Sequence, residues 1–130
     1  MPAPQRTYAV FSTVDTGLVT TAETVVATLA GINTQDAAAP VNIAGWAAFS
    51  TGTGVTAVTA RLRRNSGTGA VVGEGATVQV GASLTGVIPI NEQDAPGEVA
   101  SFAYVLTLQQ VGATGNGAAN TVNLLAIVGN

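Results

Sequence analysis

Stretches rich in valine, threonine and alanine recur along this chain, and glycine or another turn former closes each of them after roughly ten to fifteen residues. That rhythm leaves room for strands and almost none for helices. Valine and threonine branch at Cβ and are stiff at χ1, which suits a pleated strand, and glycine interrupts every window that could be read at a helical period. The spacing predicts an all-β, single-domain antiparallel sandwich of about eight strands, near residues 6–14, 23–30, 41–50, 55–64, 70–80, 84–90, 98–111 and 120–128. Turns are expected at Asp15-Thr-Gly17, Gly31-Ile-Asn33, Thr51-Gly-Thr-Gly54, Asn65-Ser-Gly67, Asp94-Ala-Pro-Gly97 and Gly112 to Gly117, where glycine and asparagine tolerate positive φ. Pro89 has no N–H for a ladder, so its strand should be an edge or carry a bulge.

Alternation within the strands assigns faces. Phe102, Tyr104, Leu106 and Leu108 share one face and should be core, with Ser101, Ala103, Val105 and Thr107 on the other. Val58, Ala60 and Leu62 face in, while Thr59, Arg61 and Arg63 face out, which sets two arginines side by side on a sheet surface. Such a pair repels unless carboxylates answer it. The stretch 122–128 is apolar on both sides: Val122, Leu124, Ala126 and Val128 on one, Leu125 and Ile127 on the other. A sandwich strand has one face in the core, so Leu125 and Ile127 need another cover, either a folded-over loop or, as the simpler expectation, a neighbouring subunit.

At 130 residues the chain can bury a real core in one domain. It has no cysteine, so no disulfide or thiolate metal site holds it together, and no histidine, which removes the commonest general base and transition-metal ligand. No enzyme activity and no cofactor are expected. Charged residues make up only 8% of the chain, so its surface is poorly hydrated and part of it should be covered by sister subunits or a partner. The net charge of −3 argues against a nucleic-acid partner, and no apolar stretch has the length of a signal peptide or a membrane span.

A search for chemistry finds little. Glu92, Asp94 and Glu98 cluster in sequence, but their segment lacks the alternating ligands and central glycine of a calcium-binding EF-hand loop; a solvated turn, with Asp94 accepting from following amides, is the expected role. Trp46 is the best candidate for an exposed carbohydrate platform, yet within Ile43-Ala-Gly-Trp-Ala-Ala-Phe49 it is expected to pack in the sandwich. The glycine-rich stretches are followed by neither Lys-Ser/Thr nor a helix, so they are turns and not phosphate cradles. Arg61, Arg63 and Arg64 could hold a phosphate or sulfated glycan, but are expected to pair with carboxylates across a subunit boundary.

The segments Val58-Thr-Ala-Arg-Leu-Arg-Arg-Asn65, Gly67-Thr-Gly69, Val71-Val-Gly73, Asp94-Ala-Pro-Gly97, Tyr104-Val-Leu-Thr-Leu108 and Gly112-Ala-Thr-Gly-Asn-Gly117 together resemble the tumour-necrosis-factor-like jelly rolls of tailed-phage virion proteins. The likeness runs from about Glu23 to Val128 and is closest to capsid decoration (cement) proteins. It implies a jelly-roll homotrimer seated on the outer surface of the virion, bound to the major capsid protein and bracing the shell. On that reading Leu125, Ile127, Arg61 and Arg63 belong to the trimer interface. Residues 1–8 form an extended arm ahead of a jelly-roll domain at 9–130, and Pro2, Pro4 and Arg6 touch the capsid. Two alternatives stand beside it: a tail-fibre or receptor-binding module that recognises a host glycan, which would need a stalk for which this chain shows no segment, and a single jelly-roll shell-forming capsid protein.

Overall fold

The computed structural model describes residues 6–73, 77–79, 85–112 and 115–129. Among them are nine strands and no helix: β1 (Arg6–Val19), β2 (Thr24–Asn33), β3 (Val41–Ser50), β4 (Ala57–Arg64), β5 (Val71–Gly73), β6 (Thr77–Gln79), β7 (Thr85–Asp94), β8 (Ser101–Val111) and β9 (Gly117–Val128). They form two antiparallel sheets. The first runs β1-β9-β3-β7 and the second β2-β8-β4, with β5 and β6 both paired to the outer side of β4. As the chain moves from Val71 to Gln79 its partner in β4 moves from Arg63 back to Ala57. β5 and β6 thus succeed one another along β4, and both fall within the single strand expected at 70–80. Counted that way, the chain crosses between sheets at every connection except the β4–β5 hairpin, which is the two-sheet jelly roll.

The inward faces follow the alternation. Val58, Ala60 and Leu62 meet Phe102, Tyr104, Leu106 and Leu108 of the second sheet, and Val41, Ile43, Ala47 and Phe49 meet Val122, Leu124, Ala126 and Val128 of the first; all are buried. Pro89 lies on β7, the edge of the first sheet, where an absent N–H costs no ladder bond. Gly45 lets β3 approach β9: a Cβ there would sit 1.8 Å from the Asn123 carbonyl oxygen.

Two expected turns are bulges instead. Asp15-Thr-Gly17 does not reverse the chain; β1 continues to Val19, and the four steps from Thr13 to Gly17 are matched by only two on β9, from Thr121 to Ala119. Gly31 likewise sits inside β2, at φ +73°, where Leu29 to Ile32 spans one residue more than Tyr104 to Phe102 on β8. Glycine serves a tight reversal and a bulge equally well, and the partner strand decides which forms. The β1 ladder also begins at Arg6, which pairs with Val128, as the strand expected at 6–14 requires, so residues 6–8 of the expected arm lie in the first sheet. Pro2, Pro4 and the Arg6 side chain lie outside the described residues.

Candidate interaction surfaces

The outer face of the second sheet carries charge that is balanced within the chain. Glu23, just ahead of β2, reaches across β8 to β4, accepting at 2.5 Å from Arg63 Nε, 3.0 Å from Arg63 Nη2 and 3.1 Å from Arg61 Nη1. The span is possible because the intervening β8 position is a small residue, Thr107, in register with Arg61. Arg61 also donates to Gln109 Oε1 at 2.7 Å, and Arg63 to the Gly69 carbonyl at 2.7 Å. The Arg63 hydrogen bond holds the Glu23 carboxyl below its ordinary range, and Glu23 in turn raises Arg63. The repulsion expected between Arg61 and Arg63 is therefore answered, but by a carboxylate of the same chain and not by a sister subunit. Val105 and Thr107, on the outer face of β8, are buried beneath the same layer.

Asp94 corrects a second expectation. It accepts from a following amide, that of Ala95, as expected, but it is not solvated: it is 6% exposed and closes one end of the sandwich. Its carboxylate accepts a two-point bond from Arg64, 2.8 Å from Nε on one side, and a 2.7 Å bond from the Tyr104 hydroxyl. Arg64 shares the inward face of Leu62 and stacks 5.9 Å from the centre of the Phe102 ring. Burial pushes the Asp94 carboxyl up, but the bonds from Arg64 and Tyr104 outweigh it and leave the group below its ordinary range. Burial and the Asp94 bond raise the Tyr104 phenol. Since Asp94 belongs to β7 and its partners to β4 and β8, this clasp ties the two sheets together.

At the other end, Gln110 is the fixed point. Buried, it accepts from Gly52 N–H and donates to the Gly115 carbonyl, each at 3.0 Å, locking the β3–β4 and β8–β9 loops to each other. Gly52 and Gly115, one from each glycine-rich stretch, thus serve as anchor points for this loop contact. Among the described residues no cluster of acidic side chains is arranged to hold a metal ion, and no cavity is present.

The outer face of the first sheet is of another kind. On β3 the outward positions are Asn42, Ala44, Trp46, Ala48 and Ser50; on β7 they are Thr85, Val87, Pro89, Asn91 and Gln93. β9 adds Ala118, Asn120, Thr121, Asn123, Leu125 and Ile127. None is charged. Trp46 stands on this face, partly buried, between Pro89 and Asn123 in register; it is not in the core as expected. The signal was present in the sequence, because Val41, Ile43, Ala47 and Phe49 are the odd positions and Trp46 is even. Leu125 and Ile127 are also partly buried here, and one reason is local: β9 is an interior strand, with Ala44 and Asn42 of β3 beside them. Asn120 donates to Ser50 Oγ across the strands at 2.8 Å.

Thus the structure brings Arg61 and Arg63 together on one sheet and Leu125 and Ile127 together on the other. The four do not form one surface.

No protein-family model and no curated protein matches the chain. Solved structures do. The chain is similar to the VP2 of an infectious bursal disease virus subviral particle, at 16% identity and a TM-score of 0.59, over 98% of this chain and 33% of that one. It is similar again to a chain of T=1 particles derived from infectious bursal virus, at 13% identity and a TM-score of 0.60, over 98% and 32%. A chain of the infectious bursal disease virus Gx strain aligns at 16% identity and a TM-score of 0.55, over 98% and 33%. This chain spans about a third of the length of each of those relatives, and at such identities what they share with it is the fold: a two-sheet jelly roll.

Proposed function

We propose that this chain is a virion structural protein without catalytic activity, a bacteriophage capsid decoration protein that binds the outer surface of the head as a homotrimer and stabilises the shell. The observation that carries the reading is the likeness, over nearly the whole chain, to the jelly roll of proteins whose structures are virus particles. A surface on which the outward positions of three adjoining strands, β7, β3 and β9, bear no charge suits a protein that works by assembly. Many copies, each touching several capsid subunits, add modest contacts through avidity. Light scattering of the purified protein should give a trimer, and it should cosediment with phage heads stripped of their decoration. A monomer that stays in the supernatant would end the proposal.

One observation favours a second reading, a shell-forming capsid protein: the relatives come from a T=1 particle and a subviral particle. It predicts closed empty shells when the protein is expressed alone and viewed by electron microscopy, whereas a decoration protein forms no shells without its capsid.

A further inference from the structure

We infer that the uncharged outer face formed by β3, β7 and β9, centred on Trp46, is where a second copy of this chain docks; the inference rests on the self-association proposed above and gives it a surface. The chain carries 4 basic and 7 acidic residues, yet none falls on the outward positions of β3, β7 or β9. A partner recognised by opposite charge has nothing to read there. A second copy meets no like-charge repulsion on this face, although two chains of net charge −3 repel elsewhere.

The polar groups of the face point to the same occupant. They are amides and hydroxyls, each both donor and acceptor, so they can hydrogen-bond to whichever polar patch of a second copy meets them around a three-fold axis, where unlike patches face each other, whereas the Glu23–Arg61–Arg63 face of the other sheet cannot without breaking its own pairs. The apolar groups lie together: Trp46 beside Pro89 in register, Val87 two residues away on the same strand face, and Leu125 and Ile127 on β9. Val87 is 57% exposed, which is costly for a side chain with no polar atom. An apolar centre with a partly exposed tryptophan and a rim of amides is the anatomy of a protein–protein contact. Three strands about 4.8 Å apart and ten residues long present a face of roughly 500 Å², more than half of the roughly 800 Å² per partner of a standard interface.

Sedimentation velocity across a concentration series tests the assignment, using the full chain, Val87→Arg, Trp46→Ala and a control, Thr28→Arg, at an exposed position of the second sheet. Val87 is exposed enough for the arginine to leave the fold intact, which the urea midpoint checks. The expected result is an oligomer whose dissociation constant rises roughly a hundredfold in Val87→Arg, because a docked copy would bury the new charge unpaired, and rises also in Trp46→Ala, while Thr28→Arg leaves it unchanged. A wild-type monomer at high micromolar concentration overturns the inference, as does an oligomer that ignores both first-sheet variants. Binding to stripped heads is read in parallel. If the variants lose head binding with the oligomer intact, the face docks on the capsid and the inference falls. If Trp46→Ala abolishes a saturable signal on a glycan array with the oligomer intact, it falls equally. If the oligomer dissociates as expected but the wild type never binds heads, the inference stands and the decoration reading falls.

Discussion

The two sheets of this jelly roll have inward faces of the same kind and outward faces of opposite kinds. On the second sheet every described arginine has its carboxylate inside the chain: Glu23 for Arg61 and Arg63, Asp94 for Arg64 at the sandwich end. That face leaves none of its described arginines without a carboxylate, although Val25, Val71 and Val111 are exposed on it. On the outward positions of β3, β7 and β9 the first sheet presents amides, hydroxyls and apolar groups, with no charge to be satisfied and none to hold water strongly. The contrast teaches that a chain with only 8% charged residues did not spread them thinly. Much of its charge is concentrated where it braces the fold, leaving the opposite face free for contact.

Several changes would break or sharpen that contrast. The largest expected loss of stability comes from Asp94→Ala, which strands Arg64 and the buried Tyr104 hydroxyl and unlocks the sheets from each other. Urea denaturation should show a loss of about 4 kcal/mol, at the middle of the range for removing one partner of a buried pair. Tyr104→Phe, which removes one bond to the same carboxylate, should cost about 2 kcal/mol.

Acid should act on the same groups. Asp94 and Glu23 are held below their ordinary range in the folded chain, so each contributes stability that is present above the unfolded-state value near 4 and is lost as the pH falls through the folded value. A stability profile by thermal melting should be flat from neutrality down to about pH 5 and fall below about pH 4. Self-association through the first sheet involves no titrating group on β3, β7 or β9 and should persist until the fold fails.

Leu125→Asp sharpens the comparison from the other side. Leu125 is partly exposed in one chain, so the urea midpoint should move little, whereas association should weaken by about 3 kcal/mol because the interface would bury an unpaired charge. The smallest effect belongs to Glu23→Gln, about 1 kcal/mol since the three side chains are partly solvated, and the difference from wild type should shrink as sodium chloride is added.

Much of this was legible in the sequence. The all-β class, the inward faces of β4, β8 and β9, the edge position of Pro89 and the repulsive Arg61–Arg63 pair all follow from alternation and turn chemistry, which are local. What escaped was set by strands distant in sequence. Asp15-Thr-Gly17 and Gly31 look like reversals until their partners β9 and β8 are known to run on beside them. Glu23 could not be assigned to Arg61 and Arg63 without the order β2-β8-β4, which sets it one strand away across a threonine. Asp94 reads as a surface turn unless β7 is known to end over Arg64 and Tyr104. Trp46 is the exception: its place was available from parity alone, but the size of the indole suggested core.

The placement of β9 between β1 and β3 also governs how the molecule comes into being. β1 and β3 have no contact with each other in the ladder, so both keep an unpaired edge until β9, made more than sixty residues after β3 ends, threads between them. The second sheet can close as soon as β8 exists. The first begins earliest on the ribosome and finishes last, with its contacts of longest sequence separation formed at the end, so folding should be slow and the half-made chain should expose strand edges to its neighbours. In a cell making many copies at once, that interval is when correct assembly and aggregation compete for the same chain.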